Sequence, residues 1–233
     1  MTKDSMQRGA IDEVIGTPLV IEGVESMTGA DSIAPNHRGR GPEGERLYVP
    51  TARAKGAADA ALRHEIETLL IRQAALLDAK RWGEWIELFD ERGIYWMPAE
   101  PSQDDWVGQP SIFSEDPLLM EIRMGRLTHP NAWSQAPMWG TNHLVGNVVI
   151  EAIDAAEAAS LEPPSRHADL VRDCIVVYSR FQMMELRRND VRHFGGTYRH
   201  FLVRTAQGLR IRLQRVDLMN GQAEYDYVIQ AWV

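Results

Sequence analysis

The sequence predicts an α+β domain, with helices packed on one face of a curved antiparallel sheet. Two observations lead there. Between Leu62 and Pro98 a helical apolar period gives way to a β-branched, aromatic run. From Thr141 onward, strand-like runs then follow one another, separated mainly by short turn-forming stretches.

The first helix is read from Leu62, Ile66, Leu69, Leu70, Ala74 and Leu77, which recur at i, i+4, i+7, i+8, i+12 and i+15 and so share one face. Asp59 stands where an N-cap belongs, and Lys80 and Arg81 stand where the dipole favours cations. Trp82, Trp85, Ile86 and Phe89 form a second, shorter apolar stripe, with Gly93 as its expected C-terminal stop. Ile94 to Met97 reads as a strand, which Pro98 closes.

A long excursion follows from Glu100 to Ala136, rich in Pro, Asp, Ser and Trp. Within it, SEDPLLMEIRMGRL predicts a helix capped by Ser114, with Leu118, Leu119, Ile122 and Leu127 as its apolar side. Trp106 and Trp133 lie in this excursion and Trp139 just beyond it. Tryptophans there serve either a partner interface or the open end of the core, and the two readings stand level.

The remaining strands are TNHLVGNVVIEAI, DLVRDCIVVYSRFQMME, TYRHFLVRT, LRIRLQRVDLM and YDYVIQAWV. In LRIRLQRVDLM, Leu209, Ile211 and Leu213 alternate with polar residues, but Val216 and Leu218 take the opposite parity. A β-bulge near Arg215 is therefore expected. Residues 1–57 carry scattered Gly, Pro, Ser and Asn without a sustained period. They are expected to be an extension that wraps a partner or is partly disordered, ahead of a single domain over 58–233.

Composition excludes several functions. With 25 basic and 33 acidic residues the net charge is −8, which argues against a nucleic-acid surface. No apolar run approaches a membrane span, and no basic-then-apolar leader opens the chain, so the cytoplasm is the expected compartment. Cys174 is the one cysteine, which rules out a disulfide framework and a Rieske cluster on this chain. His37, His64, His129, His143, His167, His193 and His200 show no spacing typical of a two-His, one-carboxylate iron site, so no metal is expected here. Neither a nucleotide-binding glycine motif nor a Gly-x-Ser-x-Gly elbow occurs, and Gly195–Gly196 is expected to be a bulge or bend.

Two chemistries remain to be weighed. Tyr95, Asp90, His143, Asp173 and Tyr178 are the residues that could point inward as acid–base groups. For each the ordinary reading is structural: a hydrogen-bonded histidine at a strand start, an Asp90 paired with Arg92 or Arg123, a core tyrosine. Arginines crowd the second half, Arg210 and Arg212 among them, and suit either a solvated face or a docked one.

The run LLIRQAALLDAKRWGEWIELFDERGIYWMPAE resembles the opening of the small (beta) subunits of aromatic-ring-hydroxylating dioxygenases. NHLVGNVVI, CIVVYSRFQ and FGGTYRHFLVRTAQGLRIRLQRVDL follow in that family's order and spacing, so the resemblance spans Leu62 to Val233. It departs at MWGTNH, Met138 to His143, where many members have an Arg-rich approach to the strand histidine. The resemblance implies a ketosteroid-isomerase-like (cystatin-like) cone. It implies a complex of three beta chains with three larger alpha subunits, which hold a Rieske [2Fe-2S] cluster and a mononuclear Fe(II). That complex adds dioxygen across an aromatic ring as a cis-dihydrodiol, with NAD(P)H electrons arriving through a reductase or ferredoxin. This chain would then hold no active site or cofactor; it would trimerise and seat the alpha subunits, with Trp106, Trp133, Trp139, Arg210 and Arg212 as candidate interface residues. The alternative is a stand-alone cone-fold isomerase or dehydratase working through His143, Asp90 and Tyr95.

Overall fold

A computed structural model describes residues 50, 57–133, 136, 138–158, 167–219, 221, 223 and 228–233. The chain divides into two units, 1–48 and 49–233. The expected extension over 1–57 lies almost wholly outside the described residues.

The second unit holds the elements α1 (Ala57–Asp78), α2 (Trp82–Ile86), β1 (Phe89–Pro98), β2 (Ser111–Glu115), α3 (Pro117–Leu127), β3 (Gly140–Ala152), α4 (Ala155–Ala158), α5 (Ala168–Val171), β4 (Ile175–Arg187), β5 (Asp190–Thr205) and β6 (Gly208–Leu218). The six strands form one sheet in the order β2-β1-β6-β5-β4-β3. The expected α+β cone is present, with one difference: β1 and β6 run parallel. No hairpin joins the first of these strands to the last, so nothing local forces them to be antiparallel.

α1 buries Ile66, Leu69, Leu70 and Leu77, as its period predicts. It begins before Asp59, which lies inside the helix rather than capping it. Its end is a Schellman-type turn. Lys80 sits at φ 57°, its N–H bonds to the Leu77 carbonyl, and the Arg81 N–H reaches back to the Leu76 carbonyl. α2 ends at Ile86, and Phe89 already belongs to β1. Gly93 therefore stops no helix. A Cβ there would stand 2.8 Å from the Asp90 carbonyl and 3.0 Å from that of Ile211, at the point where the β1–β6 register shifts. The glycine permits a bulge.

The cap of α3 is Asp116, whose carboxylate accepts the Leu119 N–H at 2.9 Å, while Ser114 is part of β2. The helix also faces the other way from the expectation. Met120 and Leu127 are buried and Met124 packs partly against the core, whereas Leu118, Leu119 and Ile122 are exposed. Met120, Met124 and Leu127 form a second apolar stripe at i, i+4 and i+7, and this is the one that meets the core.

In β6 the bulge is at Arg212, not near Arg215. Phe201 pairs with Leu213 and Leu202 with Ile211, leaving Arg212 unmatched. Leu209 and Ile211 join the inner core, Leu213 crosses to the outer one, and Val216 and Leu218 return to the inner face. Gly195 and Gly196 pair in register with β4, so the strand is continuous there. A Cβ on Gly196 would stand 2.0 Å from the Asp217 carbonyl, so the glycine serves a close approach between β5 and β6. Of the expected terminal strand YDYVIQAWV, residues 225–227 lie outside the described residues, and 228–233 form no strand. That segment instead buries Trp232 and Val233 against the inner core.

Candidate functional site

In a curved sheet closed by helices, the concave interior is the place for a pocket. Here it is filled with rings. Trp85 lies 5.1 Å from Phe89 and 5.7 Å from Tyr95, both edge-to-face, and 4.8 Å from Trp232. Trp82 lies 6.5 Å from Trp139 and 6.1 Å from Trp232. Met97, Met120 and Met183 are fully buried beside them. These spacings are those of packed aromatic pairs, which leave no room for a substrate between them.

The acid–base candidates do not converge. The Tyr95 hydroxyl donates to the Val233 backbone oxygen and accepts from the Val233 N–H, both at 3.1 Å. Burial pushes its pKa well up, so it is a poor proton donor. Asp90 pairs with Arg212 at 2.7 Å rather than with Arg123, which goes to Glu115 at 2.6 Å. The Arg92 backbone N–H also donates to Asp90, at 3.1 Å. Burial pushes the Asp90 pKa up, but these partners outweigh it and hold the carboxyl below its usual range. Tyr178 is buried, and Asp173 is exposed between α5 and β4.

His143 is held by a residue that sequence reasoning missed. Its Nδ1 stands 2.6 Å from one oxygen of Asp78, and its backbone N–H donates to the other at 2.9 Å. Burial pushes the Asp78 pKa up, yet the hydrogen bonds from His143 and Thr141 leave it lowered overall. Arg63, also on α1, donates to the Val148 carbonyl at 3.1 Å. α1 thus covers the free edge of β3 with side-chain partners, which prevents that edge from recruiting another strand. The signal for Asp78 was its place at the end of the α1 period, but no local pattern linked it to His143.

A second polar group lies inside the sheet. His200 and Gln214 are directly opposed on β5 and β6, and His200 Nε2 lies 3.2 Å from Gln73 Oε1. Burial alone lowers the His200 pKa to about 3, so the ring is neutral. His193 is exposed and His200 buried, on opposite faces of β5. Among the described residues no three His, Cys, Asp or Glu side chains come together as a metal-binding group. Burial pushes the Cys174 thiol up to about 11, which makes it inert.

The candidate interface residues divide. Trp133 is 80 % exposed. Trp106 is half-buried, stacked on His167 at 3.8 Å and tilted against Trp96 at 5.7 Å. Arg210 is half-buried and donates to the Leu209 carbonyl. Trp139, 2 % exposed, belongs to the inner core, and buried Arg212 is committed to Asp90 and the Leu170 carbonyl. The packing of this chain leaves neither of these two at its surface. Among the described residues, no helix is long and apolar enough to cross a membrane.

Comparison with known proteins places this architecture. The chain is 26 % identical over 161 residues to the 2-halobenzoate 1,2-dioxygenase small subunit of Burkholderia cepacia, covering 67 % of this chain and 87 % of that one. It is 32 % identical over 102 residues to the benzene 1,2-dioxygenase subunit beta of Pseudomonas putida, covering 40 % of this chain and 54 % of that one. Among solved structures, the beta subunit of the benzoate 1,2-dioxygenase from Burkholderia mallei matches with a TM-score of 0.52 at 21 % identity, over 76 % of this chain and 99 % of that one. A chain of naphthalene 1,2-dioxygenase with indole bound matches with a TM-score of 0.56 at 17 % identity, over 75 % and 87 %. At these identities the structures speak for the fold alone. The profile of the ring hydroxylating beta subunit family matches residues 72–223, and the chain belongs to that family.

Proposed function

We propose that this chain is the non-catalytic beta subunit of a Rieske-type aromatic-ring-hydroxylating dioxygenase, acting in the cytoplasm in aromatic catabolism. It trimerises and seats three iron-bearing alpha subunits, which hold the Rieske [2Fe-2S] cluster and the mononuclear Fe(II). The assembled enzyme cis-dihydroxylates an aromatic substrate with electrons from NAD(P)H, delivered by a reductase or ferredoxin. The observation that carries this reading is the filled interior, where Trp82, Trp85, Trp139 and Trp232 occupy the volume a cone enzyme would give to substrate. Family membership and the separation of Tyr95, Asp90 and His143 into three unrelated hydrogen-bond sets support it further.

The test is purification of the tagged full-length chain from its host, with native mass and iron measured on what elutes. The reading expects a coloured complex containing a larger, iron-bearing chain. Recovery of this chain alone, without iron, would favour the isomerase or dehydratase alternative. Residues 1–57, almost all outside the described residues, are proposed to support assembly more than folding, so their removal would weaken the complex more than it lowers the cone's melting temperature.

A further inference from the structure

Two apolar patches have no partner within the described chain, and they differ in shape and charge. The first lies on the outer face of β3, β4 and β5. Strand register puts Gly140, Leu186 and Val191 in one cross-strand row, Asn142, Met184 and His193 in the next, and Leu144, Gln182 and Gly195 in a third. Leu144 is 68 % exposed and Leu186 50 %. Three glycines interrupt this surface, Gly140, Gly146 and Gly195. None has a positive φ, and a Cβ on Gly140 or Gly146 would meet nothing within 4 Å, while one on Gly195 would make only an ordinary contact at 3.7 Å. Glycine weakens a strand, and neither backbone nor neighbours require it at these positions. Its effect is to lower the surface so that another can approach closely. The exposed Arg180 and Arg188 make this patch basic.

The second patch is the outer side of α3. Leu118 is 64 % exposed, and Leu119 and Ile122 lie beside it, while Met120 and Leu127 on the opposite side are buried. A helix that is apolar on both sides is built to be buried on both. Exposed Asp116, Glu121 and Glu87 flank this side, with Arg126 at its far end, so the patch is predominantly acidic.

We infer that the two patches are the two halves of one head-to-tail contact, in which α3 of one copy of this chain packs on the glycine-lowered β3–β4–β5 face of the next. A ring of three closes only through such a heterologous contact, which needs two different, complementary patches on each subunit. Sheet against sheet would bring like arginines together, whereas sheet against α3 sets an arginine at one end of the patch, Arg180 or Arg188, toward the acidic Asp116 and Glu121. The inference rests on the beta-subunit reading and names the surfaces of its self-association.

The full-length chain and two surface variants test it by native mass in sedimentation. The helix variant is Leu118→Glu with Ile122→Glu, and the sheet variant is Leu144→Arg with Leu186→Arg. All four positions are exposed, so circular dichroism and melting temperature should match the unaltered chain. The expected result is a trimer for the unaltered chain and monomers for each variant alone. An equimolar mixture of the variants should form dimers, because each supplies the half the other lacks. A variant that stays trimeric, a mixture that stays monomeric, or an unaltered chain that is monomeric would each overturn the inference. A variant that stays trimeric but loses the iron-bearing partner would assign the patch to that partner and leave the beta-subunit reading intact. If the unaltered chain recovers no iron-bearing partner either, that reading fails with it.

Discussion

The outer face of the sheet is apolar at both ends, yet among the described residues only one end is covered. Around β1, β6 and β5, the side chains of Trp96, Leu213 and Phe201 form a second core with Val171, Cys174 and Val176. Trp106 and α5 lie over it, and Arg215 holds the covering loop in place. The Arg215 guanidinium donates to the Gln103 and Pro101 carbonyls at 2.7 and 2.8 Å and sits 4.6 Å above the Trp96 ring. At the β3 end, Leu144, Met184, Leu186 and Val191 have no such cover among the described residues. An apolar run in a strand therefore does not say what buries it. The covered end contributes to the stability of this chain, and the open end is free to contribute to an assembly.

The largest effect should come from emptying the covered end. Trp96→Ala removes a fully buried ring and is expected to cost about 3–5 kcal/mol in urea unfolding, enough to leave the chain barely folded. A cost under about 1 kcal/mol would mean the second core is loose. Arg212→Met comes next, because it leaves the Asp90 carboxylate without its ionic partner at a site where both side chains are mostly buried. A loss of about 2–4 kcal/mol is expected, much of it recovered when Asp90→Leu is added, since two apolar groups need no pairing. If the double variant were no better than the single one, the pair would be holding α5 rather than balancing a charge.

An acid titration probes the inner face behind the covered end. Burial holds His200 at about 3, against 6.5 when exposed, so the unfolded chain takes up a proton that the folded one refuses. Stability is then full above pH 6.5 and falls as the pH drops toward 3, by about 1.4 kcal/mol per unit. His200→Gln should flatten that slope. Asp78 and Asp90, both lowered below 3.8, begin to lose their contribution only near that value, so between pH 6.5 and 3.8 the His200 slope runs without theirs. The smallest effect belongs to the open end: Leu144→Thr with Leu186→Thr should shift unfolding of the dilute chain by less than about 0.5 kcal/mol. A larger loss would mean that those residues already pack within the chain.

Long periodic segments were legible from sequence. The α1 stripe and the middles of the four long strands β3 to β6 are where Leu62–Leu77 and the runs after Thr141 put them. However, α5 takes the start of the expected DLVRDCIVVYSRFQMME strand, so β4 begins only at Ile175, and β5 begins at Asp190, ahead of the expected TYRHFLVRT. What failed was orientation and pairing. α3 carries Leu118, Leu119, Met120, Ile122, Met124 and Leu127, so two stripes fit it equally, and only the position of the core chooses between them. The break in β6 parity was visible, but the register with β5 puts the bulge at Arg212, because that residue turns toward Asp90. The Asp78–His143 pair joins residues 65 apart, beyond any local pattern. Gly93 read as a helix stop because glycine is required there by the bulged backbone of β1 itself, where a Cβ would meet the Asp90 carbonyl and Phe89 Cβ, and by the Ile211 carbonyl of the paired strand, none of which a helical period reveals.

The central claim is that this chain supports the chemistry without taking part in it. The most direct test is turnover per iron in complexes purified with this chain carrying His143→Gln, Asp90→Asn or Tyr95→Phe. Each complex would first be shown to have unaltered mass and iron content. The account predicts the unaltered turnover per iron in all three, with any loss confined to the yield of assembled complex. A fully assembled, iron-replete complex whose turnover fell tenfold or more with one of these substitutions would contradict it, and would place the chemistry in the cone.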